Sequence, residues 1–281
     1  MMPPVSSRVA RGGPSPACPP GAPRFAARGL ATLSLAACLV LSPHARAADC
    51  PSAFDITAHV TGVDLSGDLI LSDAGRVRLA GLAFGEDRTA LRAALERLVV
   101  GRDVAIAASA AQADRYGRRG GLVRVGADGP SVQHALLSRG LALAQPEEGM
   151  LGCMAELVKA EAPARKNKLG LWAGMPLDAR DIDGLSARQG RFTILTGRVR
   201  SVGKGRGVDY LNFGPIWRQD MTVRLDSRAR AAFEQAGTPL QAFAGRQIEA
   251  RGVVFEAGGP AIDVRWVEQV EMAKSESGAG D

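Results

Sequence analysis

From Ile56 to Ala83, apolar and β-branched residues are cut at Gly62, Ser66-Gly67 and Asp73-Ala74-Gly75, which is how short strands joined by tight turns are written. At Glu86 the period changes. Across Glu86–Val100 the residues Ala90, Leu91, Ala94, Leu95 and Leu98 recur on one helical face, with Arg88, Arg92, Glu96 and Arg97 on the other and Gly101 as the stop. Strand spacing returns at Val104–Ala108 and Leu122–Val125, and Ser131 caps a short helix through Leu137. A further helix is predicted over about Met154–Lys168, kinked or shifted by Pro163. Short strands with helices packed on one side predict a small barrel capped by helices, an α+β fold in which β dominates.

After Trp172 the polar stretch 174–190, with Gly174, Pro176 and several aspartates, reads as a linker. Beyond it the strand period resumes in Phe192–Val202, Met221–Leu225, Gln247–Phe255 and Ala261–Val270, interrupted by a helix at about Ser227–Ala236. The segment 191–272 is therefore expected to be a second small β-barrel, OB-like, followed by a disordered tail over 273–281.

Residues 1–47 read differently from the rest. Arg8, Arg11, Arg24 and Arg28 precede an apolar run, Gly29–Leu41, and the segment ends in Ala45-Arg46-Ala47, the pattern of an export signal peptide with its cleavage site. A mature chain in the periplasm or outside the cell is expected. Leu35-Ala36-Ala37-Cys38 resembles a lipobox and leaves open a lipoprotein anchored through Cys38, although the apolar run continues past that cysteine. The run falls short of the roughly 20 apolar residues a membrane span needs, so no stable membrane insertion is expected after cleavage.

Removing this leader changes the charge argument. The chain has 35 Lys and Arg against 29 Asp and Glu, but five of those arginines and no acid lie in residues 1–47, leaving 30 against 29. Global charge therefore does not point to nucleic acid, and any attraction to phosphate must come from local patches. Cys18 and Cys38 leave with the leader. Cys50 and Cys153 remain, and in an oxidising compartment a disulfide between them is expected, two buried free thiols being the alternative.

Four fragments bear on chemistry: Ser-Gly-Asp-Leu-Ile at 66–70, Arg-Val-Arg-Leu-Ala-Gly at 76–81, Asp-Arg-Tyr-Gly-Arg at 114–118 and Lys-Leu-Gly-Leu-Trp at 168–172. In order and approximate spacing they resemble the staphylococcal nuclease (thermonuclease) family over roughly 56–173, and a thermonuclease-like domain is drawn at 48–173. The resemblance implies an OB-type barrel with three helices, a divalent cation such as Ca2+, and hydrolysis of DNA or RNA phosphodiesters that leaves 3′-phosphates. It places Arg78 and Arg118 as phosphate-binding arginines, Glu86 as the group that activates or orients water, Asp68 as a metal ligand, and Arg115 and Tyr116 beside the bound nucleotide. Such roles suit these side chains, because guanidinium forks bind phosphate oxygens in pairs and stay protonated as charge builds on the reacting group.

The pattern also departs from that family. Where the family reads Asp-x-Pro-Glu at the end of the arginine strand, this chain reads Ala83-Phe84-Gly85-Glu86, and Ser66 replaces the first aspartate of an Asp-Gly-Asp turn. A hard cation wants six or more oxygens, several of them charged, so Ala83 implies weakened metal binding; Asp64 and Asp87 are the nearby acids that could substitute. Two function classes follow: an exported metal-assisted endonuclease, or a catalytically impaired nucleic-acid-binding module of the same fold. An envelope scaffold is a third. His59 and His134 lack partners at metal spacing and read as structural.

In the second half Arg188, Arg191, Arg198, Arg200, Lys204 and Arg206 are followed by Tyr210, Phe213 and Trp217. Basic groups interleaved with aromatics are how OB-type barrels hold single strands, and they are equally how a small barrel builds its core and wet face.

Overall fold

The computed structural model describes residues 50–126, 129–216 and 218–273. The leader, Cys38, Trp217 and the tail from 274 onward lie outside the described residues. The first sheet is built from β1 (Ile56–Val63), β2 (Leu69–Leu71), β3 (Arg76–Leu79), β5 (Asp103–Ala108) and β6 (Arg118–Val125), with the two-residue β4 (Leu82–Ala83) and the helix α1 (Thr89–Val99) inserted between β3 and β5. The five strands close into a barrel in the order β1-β2-β3-β6-β5. All pairs are antiparallel except β3 with β6, which run parallel, Arg76 opposite Arg118 and Arg78 opposite Gly120.

Alternation sets the faces. In β3, Val77 and Leu79 enter the core while Arg76 and Arg78 point out. Leu91, Ala94, Leu95 and Val99 of α1 are buried against the barrel, each large apolar side chain contributing roughly 1.5–3 kcal/mol by its removal from water. The helix begins at Thr89, three residues later than its apolar spacing suggests. The Asp87 carboxylate accepts the Thr89 amide at 2.9 Å and turns the chain there, which leaves Glu86 in the bend before the helix.

Behind the barrel follow α2 (Val132–Leu137), β7 (Leu143–Ala144), α3 (Met154–Ala160) and α4 (Ala162–Asn167). Ser131 caps α2 through the His134 amide, as expected. Pro163 sits in the first turn of α4, so the single helix expected over Met154–Lys168 is two. Cys50 and Cys153 form a disulfide that ties the start of the described chain to the base of α3.

The stretch 174–190, expected as a linker, carries β8 (Leu177–Asp178) and α5 (Ile182–Ser186), and β8 pairs in parallel with the next strand. The second sheet comprises β9 (Phe192–Arg198), β10 (Ser201–Lys204), β11 (Val208–Asn212), β12 (Thr222–Asp226), β13 (Gln247–Glu256), β14 (Pro260–Val264) and β15 (Val270–Met272), with α6 (Ser227–Gln235) between β12 and β13. Its order is β10-β11-β12-β14-β13-β9-β8, with β15 on β13. It curls as a half-barrel with β10 and β8 at its edges. The helix-capped OB-type barrel is observed as expected, whereas the second unit, expected as a small OB-like β-barrel, is a half-barrel sheet that does not close.

The two sheets are joined by more than chain. A shared apolar cluster holds Leu143, Ala164 and Trp172 against Met175 and Ile194. Beside it Arg251 of β13, 4% exposed, reaches Glu161 at 3.1 Å and the Ala144 carbonyl at 3.0 Å. Glu161 in turn accepts the Ala144 amide at 2.7 Å. Among the described residues no helix is long and apolar enough to cross a membrane.

Candidate phosphate-binding cleft

The outward side of β3 and the start of β6 open on a cleft of about 370 Å³. Its polar lining is Ser66, Asp68, Arg78, Arg88, Arg118 and Gln145. Gly190, Phe192 and Val253 of the second half form the opposite wall. Parallel pairing puts Arg78 beside Gly120, and a Cβ at Gly120 would lie 3.1 Å from the Arg78 Nη2, so the missing side chain is what leaves room for the guanidinium.

Each charged group is held by a neighbour. Arg118 opens β6, and Asp114 accepts its main-chain amide at 3.0 Å through Oδ1 and its Nε at 2.9 Å through Oδ2. These bonds draw the Asp114 carboxyl down to about 2. The other arm of Arg118 donates to Asp68 at 3.2 Å. Asp68 is buried, and that burial pushes its carboxyl above the usual range, opposed first by the Arg118 hydrogen bond. Arg118 is held still more firmly protonated, chiefly by Asp114 and also by Asp68.

Arg78 is gripped by a carboxylate that no local motif announces. Glu147, in the loop after β7, accepts from Arg78 Nη1 at 3.1 and 3.0 Å and from the Gly81 amide at 2.7 Å. Gly81 adopts φ +79°, a left-handed turn that suits glycine and brings its amide to that carboxylate. Arg88 lies 5.5 Å from the centre of the Phe84 ring and donates to the Ser66 and Gly85 carbonyls. Sequence reasoning missed Glu147, Gly120 and the cleft position of Arg88; the Arg78–Glu147 pair spans 69 positions, and no spacing rule reaches that far.

Glu86 does not share the cleft with the two arginines. It borders an adjoining cavity of about 270 Å³, where Oε1 meets Arg191 Nε at 2.7 Å. With 66% of its side chain exposed, this pair is a weak surface bridge rather than a lock. The two cavities share Ala83, Phe84, Arg88, Gly190 and Phe192, so the cavity that Glu86 borders adjoins the arginine cleft. Arg115 and Tyr116 lie at the turn before β6, outside the cleft lining. Both Arg115 and Arg118 stack on the Tyr116 ring, at 4.7 and 5.1 Å.

The cleft's donor set does not fit a tightly held divalent cation. Asp68 is the one acid in its lining, its Oδ2 already accepts from Arg118, and Ala83 fills the position of a second carboxylate. The two expected substitutes lie outside the cleft lining, each with one oxygen engaged. Asp64 Oδ1 closes the β1–β2 turn through the Ser66 and Asp68 amides, and Asp87 turns the chain into α1. No group of three or more His, Cys, Asp or Glu that could hold a metal occurs among the described residues.

The second basic run divides. Arg188 and Arg191 lie at the Glu86 cavity, whereas Arg198 and Arg200 border a separate one with Asp178 and Arg180. Phe213 is buried in the sheet core and Tyr210 faces a third hollow beside Arg224.

A closed five-stranded barrel backed by helices is an OB-type architecture, and Arg78 and Arg118 line one cleft on its outer side. Residues 77–174 match the model of the staphylococcal nuclease homologue family, and this segment is a domain of that family. Members of the family bind nucleic acids and are typically Ca2+-dependent. No curated protein matches the chain.

Proposed function

We propose that the barrel binds the phosphodiester backbone of DNA or RNA through Arg78, Arg88 and Arg118 without requiring a cation. The observation that carries this is the convergence of three guanidinium groups on one cleft whose lining holds a single acid, Asp68, with Glu147 and Asp114 pairing Arg78 and Arg118 from outside that lining. Guanidinium groups at such a surface attract phosphate and bind its oxygens in pairs. Phosphate would displace Glu147 from Arg78, a partly solvated pair whose loss costs little, while the Arg118–Asp68 pair stays in place because Asp68 is buried.

Metal-assisted hydrolysis is the second reading, favoured by one observation: Glu86 is retained and exposed at the rim, free to approach water once it leaves Arg191. Export to an oxidising compartment belongs to the same proposal, supported by the disulfide and by the leader-like composition of 1–47.

The test is binding of labelled single-stranded DNA and RNA by fluorescence anisotropy, in EDTA and in calcium, with cutting followed in parallel. Binding in EDTA that weakens with salt and falls at least roughly tenfold in Arg78→Ala and Arg118→Ala supports the binding reading. Strictly calcium-dependent binding, or none, refutes it. Cutting in calcium that Glu86→Gln abolishes would establish the second reading instead.

A further inference from the structure

The adjoining cavity extends the positive surface beyond the family domain. It adds Arg188 and Arg191, from the turn between α5 and β9, to the Arg78, Arg88 and Arg118 of the main cleft. Five arginines and two acids, Asp68 and Glu86, then line two cavities that share a wall, with Glu147 and Asp114 pairing Arg78 and Arg118 from outside the linings. Arg188 has no carboxylate partner among the described residues; its guanidinium rests against Gly174, where a Cβ would come within 3.2 Å. Among the described residues the Arg191 side chain is paired with the exposed Glu86. Phe84 and Phe192, both half-buried, line both cavities between the two arginine groups.

We infer that Arg188 and Arg191 form a second phosphate subsite, continuous with the first, so that the ligand is a single strand spanning several phosphates and not a mononucleotide. Unpaired bases present faces that a half-buried aromatic such as Phe192, in the wall shared by the two cavities, can meet. A roomier hollow, about 490 Å³, is a poorer candidate. Its lining holds Glu147, Glu148 and Asp263 beside the single Arg265, so it lacks the several guanidinium groups that phosphate oxygens would need. The fold supports the assignment, because Trp172, Met175 and Ile194 pack together in one apolar cluster, which fixes the turn carrying both arginines against the barrel.

This inference rests on the proposed backbone binding, and the experiment separates their failures. Oligothymidylates of two, four and eight nucleotides are titrated by anisotropy across a salt series, with wild type, Arg118→Ala, Arg188→Ala and the double variant Arg191→Gln/Glu86→Gln. The double variant conserves net charge, so any loss comes from the guanidinium itself. Wild type should bind the octamer much more tightly than the dimer. Arg188→Ala and the double variant should each lower the slope of log affinity against log salt by about 0.7. They should weaken octamer binding roughly tenfold while leaving the dimer unchanged. If both keep wild-type slope and length dependence while Arg118→Ala loses binding, the second subsite is wrong and the barrel site stands. If Arg118→Ala binds like wild type, or nothing binds, both readings fall. Duplex of the same length binding as tightly as the single strand overturns the choice of ligand.

Discussion

Replacing Arg251 with methionine should loosen the joint on which the whole cleft depends. Arg251 Nη1 reaches Glu161 at 3.1 Å and the Ala144 carbonyl at 3.0 Å, and Nη2 reaches Glu249 at 3.2 Å. Glu249 keeps a second partner, Arg165 at 2.6 Å; among the described residues Glu161 has no other ion-pair partner. The variant therefore leaves one buried carboxylate uncompensated, a change worth about 3–5 kcal/mol. For a unit of this size each kcal/mol moves the midpoint by about 2–4 °C, so a loss of roughly 6–20 °C is expected. The pH dependence gives the reasoning a sign. Burial already raises the Glu161 carboxyl above its ordinary value, with Arg251 the main opposing influence. A raised acid contributes stability that is fully present below its unfolded value and is lost as pH rises through the folded one. Without Arg251 that folded value climbs further, so the deficit should be small near pH 4.5 and grow toward pH 8. Adding Glu161→Gln, which keeps an acceptor for the Ala144 amide, should recover most of the loss. Urea denaturation at several pH values is the assay. A loss under about 1 kcal/mol, or one equal at both ends of the range, would refute the account.

Two further outcomes follow from the same geometry. Cys50→Ser/Cys153→Ser opens a loop spanning 103 positions, for which chain entropy gives at most about 4–5 kcal/mol, read as a lower urea midpoint than the oxidised protein. A midpoint unchanged between the two would show that the disulfide constrains nothing in the unfolded chain. Glu147→Gln removes the competing carboxylate from Arg78 while keeping an acceptor for the Gly81 amide, and should tighten anion binding several-fold, about 1 kcal/mol, in anisotropy titrations. Unchanged or weaker binding would mean that Glu147 orients Arg78 for phosphate rather than competing with it.

The local features of this protein were legible from its residues. Alternation at Val77 and Leu79 turned Arg78 outward, Ser131 announced α2, Pro163 announced a break, and the Cys50–Cys153 pair followed from there being no other cysteine past the leader. These are short-range effects of backbone sterics, capping and periodicity, which depend on a few neighbouring positions. Helix onset at Thr89 is local too, set by the Asp87 carboxylate accepting the Thr89 amide, a bond that apolar periodicity alone does not announce. The length and exposure of the turn at 187–191 were equally silent about where Arg188 and Arg191 would land. What only the tertiary structure decided is which charges meet. Glu147 on Arg78, Arg191 on Glu86 and Arg251 on Glu161 join positions far apart in the chain, brought together by the packing of Trp172, Met175 and Ile194 between two sheets. Ion pairs at that separation are consequences of how apolar surfaces fit, and a linear pattern of residues carries no measure of that fit.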